Sequence, residues 1–205
     1  MAAREVRPGS PRPRRARWRT SGGFGPARRN RAILTGVDAA DRIDQANQDW
    51  AREHFAGPAS RSPSRHLVVI TCMDSRIDVF GAFGLANGEA HIIRNAGGVV
   101  TPDVLRSLAL SQHKLGTVDV VVAQHTDCGL HGFDDPGFRA DLTAQSGVEP
   151  SWDVPGFDDV EASVRRQVEV LATNPWAAAP GGVAGFVYDV DTGRLHLVCE
   201  ATNPA

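Results

Sequence analysis

The 205-residue sequence predicts an α/β fold, with a central, mostly parallel sheet flanked by helices and an antiparallel C-terminal edge hairpin. Two observations carry the prediction. Short β-branched runs alternate with stretches of helical period from His66 to Ala172, the pattern of parallel strands joined by crossover helices on both faces of a sheet. Near the C-terminus two strand-like runs, 183–189 and 194–200, flank Val190-Asp191-Thr192-Gly193 without an intervening helix, which reads as a hairpin.

Between Asp38 and Phe55, Ile43, Ala46, Trp50 and Ala51 recur at helical spacing, with Asp38 or Asp41 as N-cap and Gly57-Pro58 as the stop. Residues 57–65 read as a linker. His66–Thr71 is short, apolar and β-branched, hence a buried strand, and Glu89–Arg94 is a second. A helix over Thr101–Leu115 carries Val104, Leu105, Leu108, Leu110 and Leu115, with Thr101 as cap, Pro102 at the first helical position and Gly116 after the end. Val118–Ala123 is the third strand. Asp158–Ala172 is a helix with its apolar stripe at Val160, Val164, Val168 and Leu171.

Hydrophobic content of 41% and charged content of 22% are those of an ordinary globular chain with one real core. No apolar run approaches the roughly 20 residues that span a bilayer, so no membrane association is expected. Three cysteines, an odd number, fit a reducing cytoplasm better than a disulfide framework. The net charge of -2 hides an asymmetry: residues 1–32 hold ten arginines and a single acid, Glu5, leaving 12 basic and 23 acidic residues for the remainder. Such an acidic body is a poor partner for nucleic acid. Residues 1–35, rich in Arg, Pro and Gly, are expected to be a disordered tail, and 36–205 the folded domain. An arm for nucleic acid or a membrane surface is open to the tail on charge alone.

Two stretches carry the chemistry. Cys72 follows the first strand directly, and His125 and Cys128 follow the third. Ligands in parallel α/β sheets sit at the carboxyl ends of strands, so if these strands are neighbours the three side chains converge. Two thiolates and an imidazole suit zinc, and three protein ligands leave a fourth position open for catalysis. A lone buried cysteine is usually a small apolar residue, which is the reading for Cys199. A phosphatase-type nucleophile at Cys72 is disfavoured, because Arg76 follows too soon and Asp74 stands between. Asp74 and Arg76 lie two and four residues past Cys72, where an Arg fork can hold and aim a carboxylate beside the metal. A surface ion pair worth little is the plainer alternative.

In this order and at these separations, Cys72-x-Asp74-x-Arg76, Arg94-Asn95-Ala96-Gly97-Gly98 and His125-x-x-Cys128-Gly129 resemble the motifs of β-class carbonic anhydrases. The helix before and the helix-hairpin after extend the likeness over 38–200, and His-Thr-Asp-Cys-Gly is similar to the archaeal and mycobacterial branch. The resemblance implies one zinc ion per subunit, held by Cys72, His125 and Cys128. It implies that Asp74 and Arg76 form a catalytic dyad aligning hydroxide for attack on carbon dioxide, with Asp74 also a conditional fourth metal ligand in a closed state. Asn95, Ala96, Gly97 and Gly98 would line the approach. The activity implied is reversible hydration of carbon dioxide to bicarbonate and a proton, in a homodimer or higher homo-oligomer whose first helix reaches across to a partner subunit. A hydrolase of carbonyl sulfide or carbon disulfide is open to the same scaffold. A non-catalytic zinc protein is disfavoured by the presence of both Asp74 and Arg76.

Overall fold

The computed structural model of the protein describes residues 36–177 and 181–202. The tail expected over 1–35 lies outside the described residues. The chain divides into two units between Gly57 and Pro58. In the first, helix α1 spans Gly36–His54. It begins ahead of Asp38 and Asp41, so neither is its N-cap. Both lie inside the helix, and an N-cap has non-helical backbone. Ile43 and Trp50 stand exposed on α1, and the Trp50 ring meets that of the exposed Phe55 at 6.0 Å between centroids.

The second unit is built on a five-stranded sheet of order β2-β1-β3-β4-β5. Its strands are β1 (Leu67–Cys72), β2 (Ala90–Asn95), β3 (Asp119–His125), β4 (Gly182–Tyr188) and β5 (Leu195–Ala201). The first four pair in parallel and β5 closes the edge antiparallel to β4, as the alternation and the hairpin signal predict. β1 and β3 are immediate neighbours, with Thr71 opposite Ala123.

One face of the sheet is packed by helices α3 (Pro102–Leu115) and α5 (Val160–Thr173). Val104 and Leu108 of α3 and Val164, Val168 and Leu171 of α5 bury against Val68, Ile70, Val120 and Val122. The caps of α3 are those read from sequence: the Thr101 hydroxyl accepts from the Val104 N–H, Pro102 opens the helix, and Gly116 ends it at φ 74°. Asp159 caps α5, accepting from the Ala162 N–H. On the other face a second cluster, Val69, Ile77, Val79, Leu85, Leu130, Phe157 and Tyr188, gathers near Cys72 and Cys128.

Two helices are additional to the expectation: the five-residue α2 (Val79–Phe83) and α4 (Asp135–Ser146). Among the described residues no helix is long and apolar enough to cross a membrane.

Close packing of α5 on β4 depends on a residue without a side chain. A Cβ at Gly185 would lie 2.5 Å from Val164 Cγ1 and 2.8 Å from Val168 Cγ2. Gly185→Ala is therefore expected to cost about 1–3 kcal/mol through overpacking, read as a thermal midpoint lower by several degrees in circular dichroism with the far-UV spectrum unchanged. An unshifted midpoint would mean that α5 gives way freely.

Candidate metal centre

Cys72 ends β1 and His125 ends β3, its immediate neighbour. The chain then turns through Thr126 and Asp127 to bring Cys128 back. The ligand atoms of Cys72, His125 and Cys128 lie within 4.8 Å of one another, and the three residues are only 5%, 1% and 4% exposed.

The turn itself is held firmly. Thr126 N–H donates to Tyr188 O at 2.9 Å, and the Thr126 hydroxyl accepts from Val190 N–H at 3.0 Å. Asp127 adopts φ 53°, in the left-handed region. His125 Nδ1 is 2.8 Å from Thr126 O. A carbonyl can only accept, so Nδ1 carries the proton and Nε2 presents a lone pair. That Nε2 is buried without a hydrogen-bond partner. A buried orphan acceptor beside two thiols is costly unless something electrophilic meets it. Two sulfurs and one imidazole nitrogen are a zinc donor set with a fourth position to spare.

The segment Ala96–Gly98, which follows β2, braces the Cys72 side. Gly97 N–H donates to Cys72 Sγ at 3.3 Å, and Gln124 Nε2 donates to Gly97 O at 2.7 Å. At Gly98, φ 60°, a Cβ would come within 2.9 Å of Cys72 N and Thr71 C, so the turn lies directly on the strand ends. The Asn95 side chain closes its own turn, bonding Val99 N–H and O at 3.0 and 2.8 Å. Ala96 packs against the cluster around the two cysteines. Below them the Arg94 guanidinium holds the Cys72 loop by its main chain, Nε donating to Cys72 O at 2.9 Å and an Nη to Asp74 O at 2.6 Å.

Asp74 and Arg76 form the fork that the sequence suggested. Arg76 Nε donates to Asp74 Oδ1 at 3.0 Å, Nη2 to Oδ2 at 2.7 Å, and the Arg76 backbone N–H adds a bond to Oδ1 at 2.9 Å. Asp74 Oδ2 lies 3.8 Å from His125 Nε2, so the carboxylate borders the three donor atoms. The far edge of the guanidinium meets Asp127, Nη1 on Oδ2 at 2.8 Å and Nη2 on the backbone O at 2.9 Å.

Protonation follows from these contacts. The Cys128 thiol, donating to Cys72, pulls the Cys72 pKa down to about 4 against the opposing push of burial, with help from His125. The same bond, and then burial, push Cys128 well up. Burial pushes His125 down, but the Cys72 thiolate beside it outweighs this and its pKa is raised. The Arg76 guanidinium holds the Asp74 carboxyl well below the usual carboxylate range. Its contribution to stability is therefore full above the unfolded value near pH 4 and is lost only as pH falls through the lower folded value.

Cys72, His125 and Cys128 converge and Asp74 pairs with Arg76 as the sequence led us to expect, but sequence reasoning gave no role to Asp127, Gln124 or the Arg94 side chain. Asp127 stood inside the quoted His-Thr-Asp-Cys stretch; its φ and its reach to Arg76 across 51 positions are tertiary facts.

The carbonic anhydrase family model matches residues 67–135. The chain is 42% identical over 152 residues to beta-carbonic anhydrase 1 of Mycobacterium tuberculosis, an alignment covering 74% of this chain and 93% of that one. It is 33% identical over 173 residues to a carbon disulfide hydrolase of Acidithiobacillus thiooxidans, covering 74% and 85% respectively. The crystal structure of carbonic anhydrase from Streptococcus mutans matches with a TM-score of 0.72 at 40% identity, over 78% of this chain and 97% of that one.

Metal uptake must displace the proton that the contacts retain on Cys128. Calorimetric titration of the apoprotein with Zn²⁺ near pH 7, in buffers of different ionisation enthalpy, is expected to report about one proton released from the ligands per ion. Cys72→Ser, His125→Ala and Cys128→Ser should each lose stoichiometric zinc. Release of no protons would contradict the assigned ionisation.

Proposed function

The chain belongs to the β-carbonic anhydrase family, and from that premise we propose how its residues divide the reaction. It is a zinc enzyme, a carbonic anhydrase that interconverts carbon dioxide and bicarbonate plus a proton. The observation that carries this reading is the buried Cys72, His125 and Cys128 trio with the arginine-held Asp74 carboxylate beside it.

Cys72, His125 and Cys128 would hold one zinc ion per subunit. Zinc supplies the Lewis acidity that brings the ionisation of water toward neutral pH, less strongly beside two thiolates, which cancel its formal charge, than beside neutral ligands. Asp74 stays ionised throughout the working range and accepts a hydrogen bond from the attacking water at Oδ2, turning its lone pair toward carbon dioxide. Arg76 fixes that carboxylate through two parallel bonds, so orientation is set before substrate arrives. Asp74 can become a fourth metal ligand only by giving up Arg76. The turn Asn95–Gly98 borders the approach and supports Cys72 through the Gly97 N–H.

Identity is higher to the mycobacterial carbonic anhydrase than to the carbon disulfide hydrolase, which supports carbon dioxide as substrate. A homodimer is supported by α1, whose exposed Ile43 and Trp50 offer an apolar surface to a second copy. The three cysteines are free, in keeping with a cytoplasmic setting.

Stopped-flow hydration of carbon dioxide on metal-quantified protein tests the reading, with carbonyl sulfide and carbon disulfide hydrolysis measured alongside and expected to be slower. Asp74→Asn should keep one zinc per chain while kcat falls about 100-fold or more. Normal turnover in that variant would remove Asp74 from the mechanism. Wild-type turnover should rise between about pH 7 and 9, as the weaker acidification by a dithiolate site requires. A flat or falling profile would count against an activated-water mechanism.

A further inference from the structure

Arg76 has two anionic neighbours where a dyad needs one. Its Nε/Nη2 edge faces Asp74, and its Nη1/Nη2 edge faces Asp127. The two carboxylates use different edges of the fork, so both are held at once. Asp127 sits between two of the metal-binding residues, His125 and Cys128, while Arg76 belongs to the loop that begins at the third. The guanidinium is thus a strut between the two loops that carry the donors.

Backbone geometry bears independently on the same contact. Asp127 is a non-glycine residue at φ 53°, a conformation uncommon for L-residues with side chains. In that conformation its carbonyl accepts from Arg76 Nη2 while its side chain accepts from Nη1. The Asp127 side chain is 69% exposed, so the ion pair is too well solvated to be explained by stability. What it supplies is position.

We propose that Asp127 is a positioning residue that holds Arg76 in place independently of Asp74, so that the guanidinium stays docked whenever the Asp74 carboxylate leaves it. The proposal rests on the reading of Asp74 and Arg76 as an orienting pair. If Asp74 were the sole anchor, its departure would free a long, flexible side chain that must be ordered again at each return. With Asp127 in place, the returning carboxylate meets a fork already aimed.

Asp127→Gly is the informative variant, because glycine accepts the left-handed backbone and only the carboxylate is removed. With one zinc per chain retained, its kcat for carbon dioxide hydration should fall about tenfold while KM stays within about twofold. Asp127→Asn, which keeps an acceptor oxygen, should recover most of the loss. A readout free of turnover comes from crystal structures. In Asp74→Ala, Arg76 should remain against Asp127, and in Asp74→Ala/Asp127→Gly, where only the backbone carbonyl at 127 still faces it, its side chain should be markedly less ordered. Wild-type kcat in Asp127→Gly alongside an impaired Asp74→Asn would overturn the proposal and leave the dyad standing. So would an Arg76 that abandons Asp127 in the Asp74→Ala crystals, or a kcat loss that merely tracks loss of zinc. Normal turnover in both Asp127→Gly and Asp74→Asn would instead bring down the dyad reading and this proposal with it.

Discussion

The register of β1 against β3 decides where the chemistry sits. Thr71 lies opposite Ala123, so Cys72 is one residue and His125 two residues beyond a matched pair. A parallel strand advances about 3.3 Å per residue. A slip of two residues would therefore carry Cys72 about 7 Å along the sheet, beyond the 4.8 Å within which the donor atoms now group. A slip of one would turn every side chain to the opposite face. What prevents either is packing far from the site: Val68, Ile70, Val120 and Val122 are buried under α3 and α5. At the strand ends the Thr71 hydroxyl adds a pin, donating to Ala123 O at 2.8 Å.

That fixed pair of strand ends explains the glycines that follow β2. The turn must cross both ends at backbone contact, and Gly98 does so with no room for a Cβ between Cys72 N and Ala123 O. Crossing so closely is what brings the Gly97 N–H onto Cys72 Sγ. The electrostatic consequence is a site short of positive charge at its centre. Freeing both thiols of their protons puts two anions side by side in a buried site, with the Asp74 carboxylate at its edge. Arg76 is committed to Asp74 and Asp127, and Arg94 to backbone carbonyls. Compensation has to come from a cation held by the donors themselves, and the unpartnered His125 Nε2 is the position from which a neutral donor would meet it.

How much of this was legible depended on whether the signal was local. The caps of α3 were read correctly from Thr101, Pro102 and Gly116, because capping is settled within one turn of chain. The donor trio was legible as well, since strand-end positions follow from apolar runs and the ligand types are specific. Helix α4 left no apolar stripe to find: none of its residues is buried, and Gly137 interrupts its first turn. Its punctuation was nonetheless present, with Asp134 as N-cap, Pro136 in the first turn and Gly147 at the end. Helix α2, at five residues, is too short to show a period. The Arg94 clamp and the Asp127 contact could not be read at all, because each joins residues that only the sheet order brings together.

The antiparallel edge contributes no metal donor, yet it acts on the donors. The turn between β4 and β5 is closed by Gly193 N–H on Asp189 O, and Asp189 N–H bonds Arg194 O, both at 2.8 Å. Val190, within that turn, donates to the Thr126 hydroxyl, while Tyr188 O at the end of β4 takes the Thr126 N–H. Thr126 O is in turn the acceptor for His125 Nδ1. Fixing Thr126 from one side therefore fixes the tautomer and the ring direction of His125 on the other. Parallel strands bring the donors to one place, and the closing hairpin, by gripping a single threonine, determines which imidazole nitrogen is offered there.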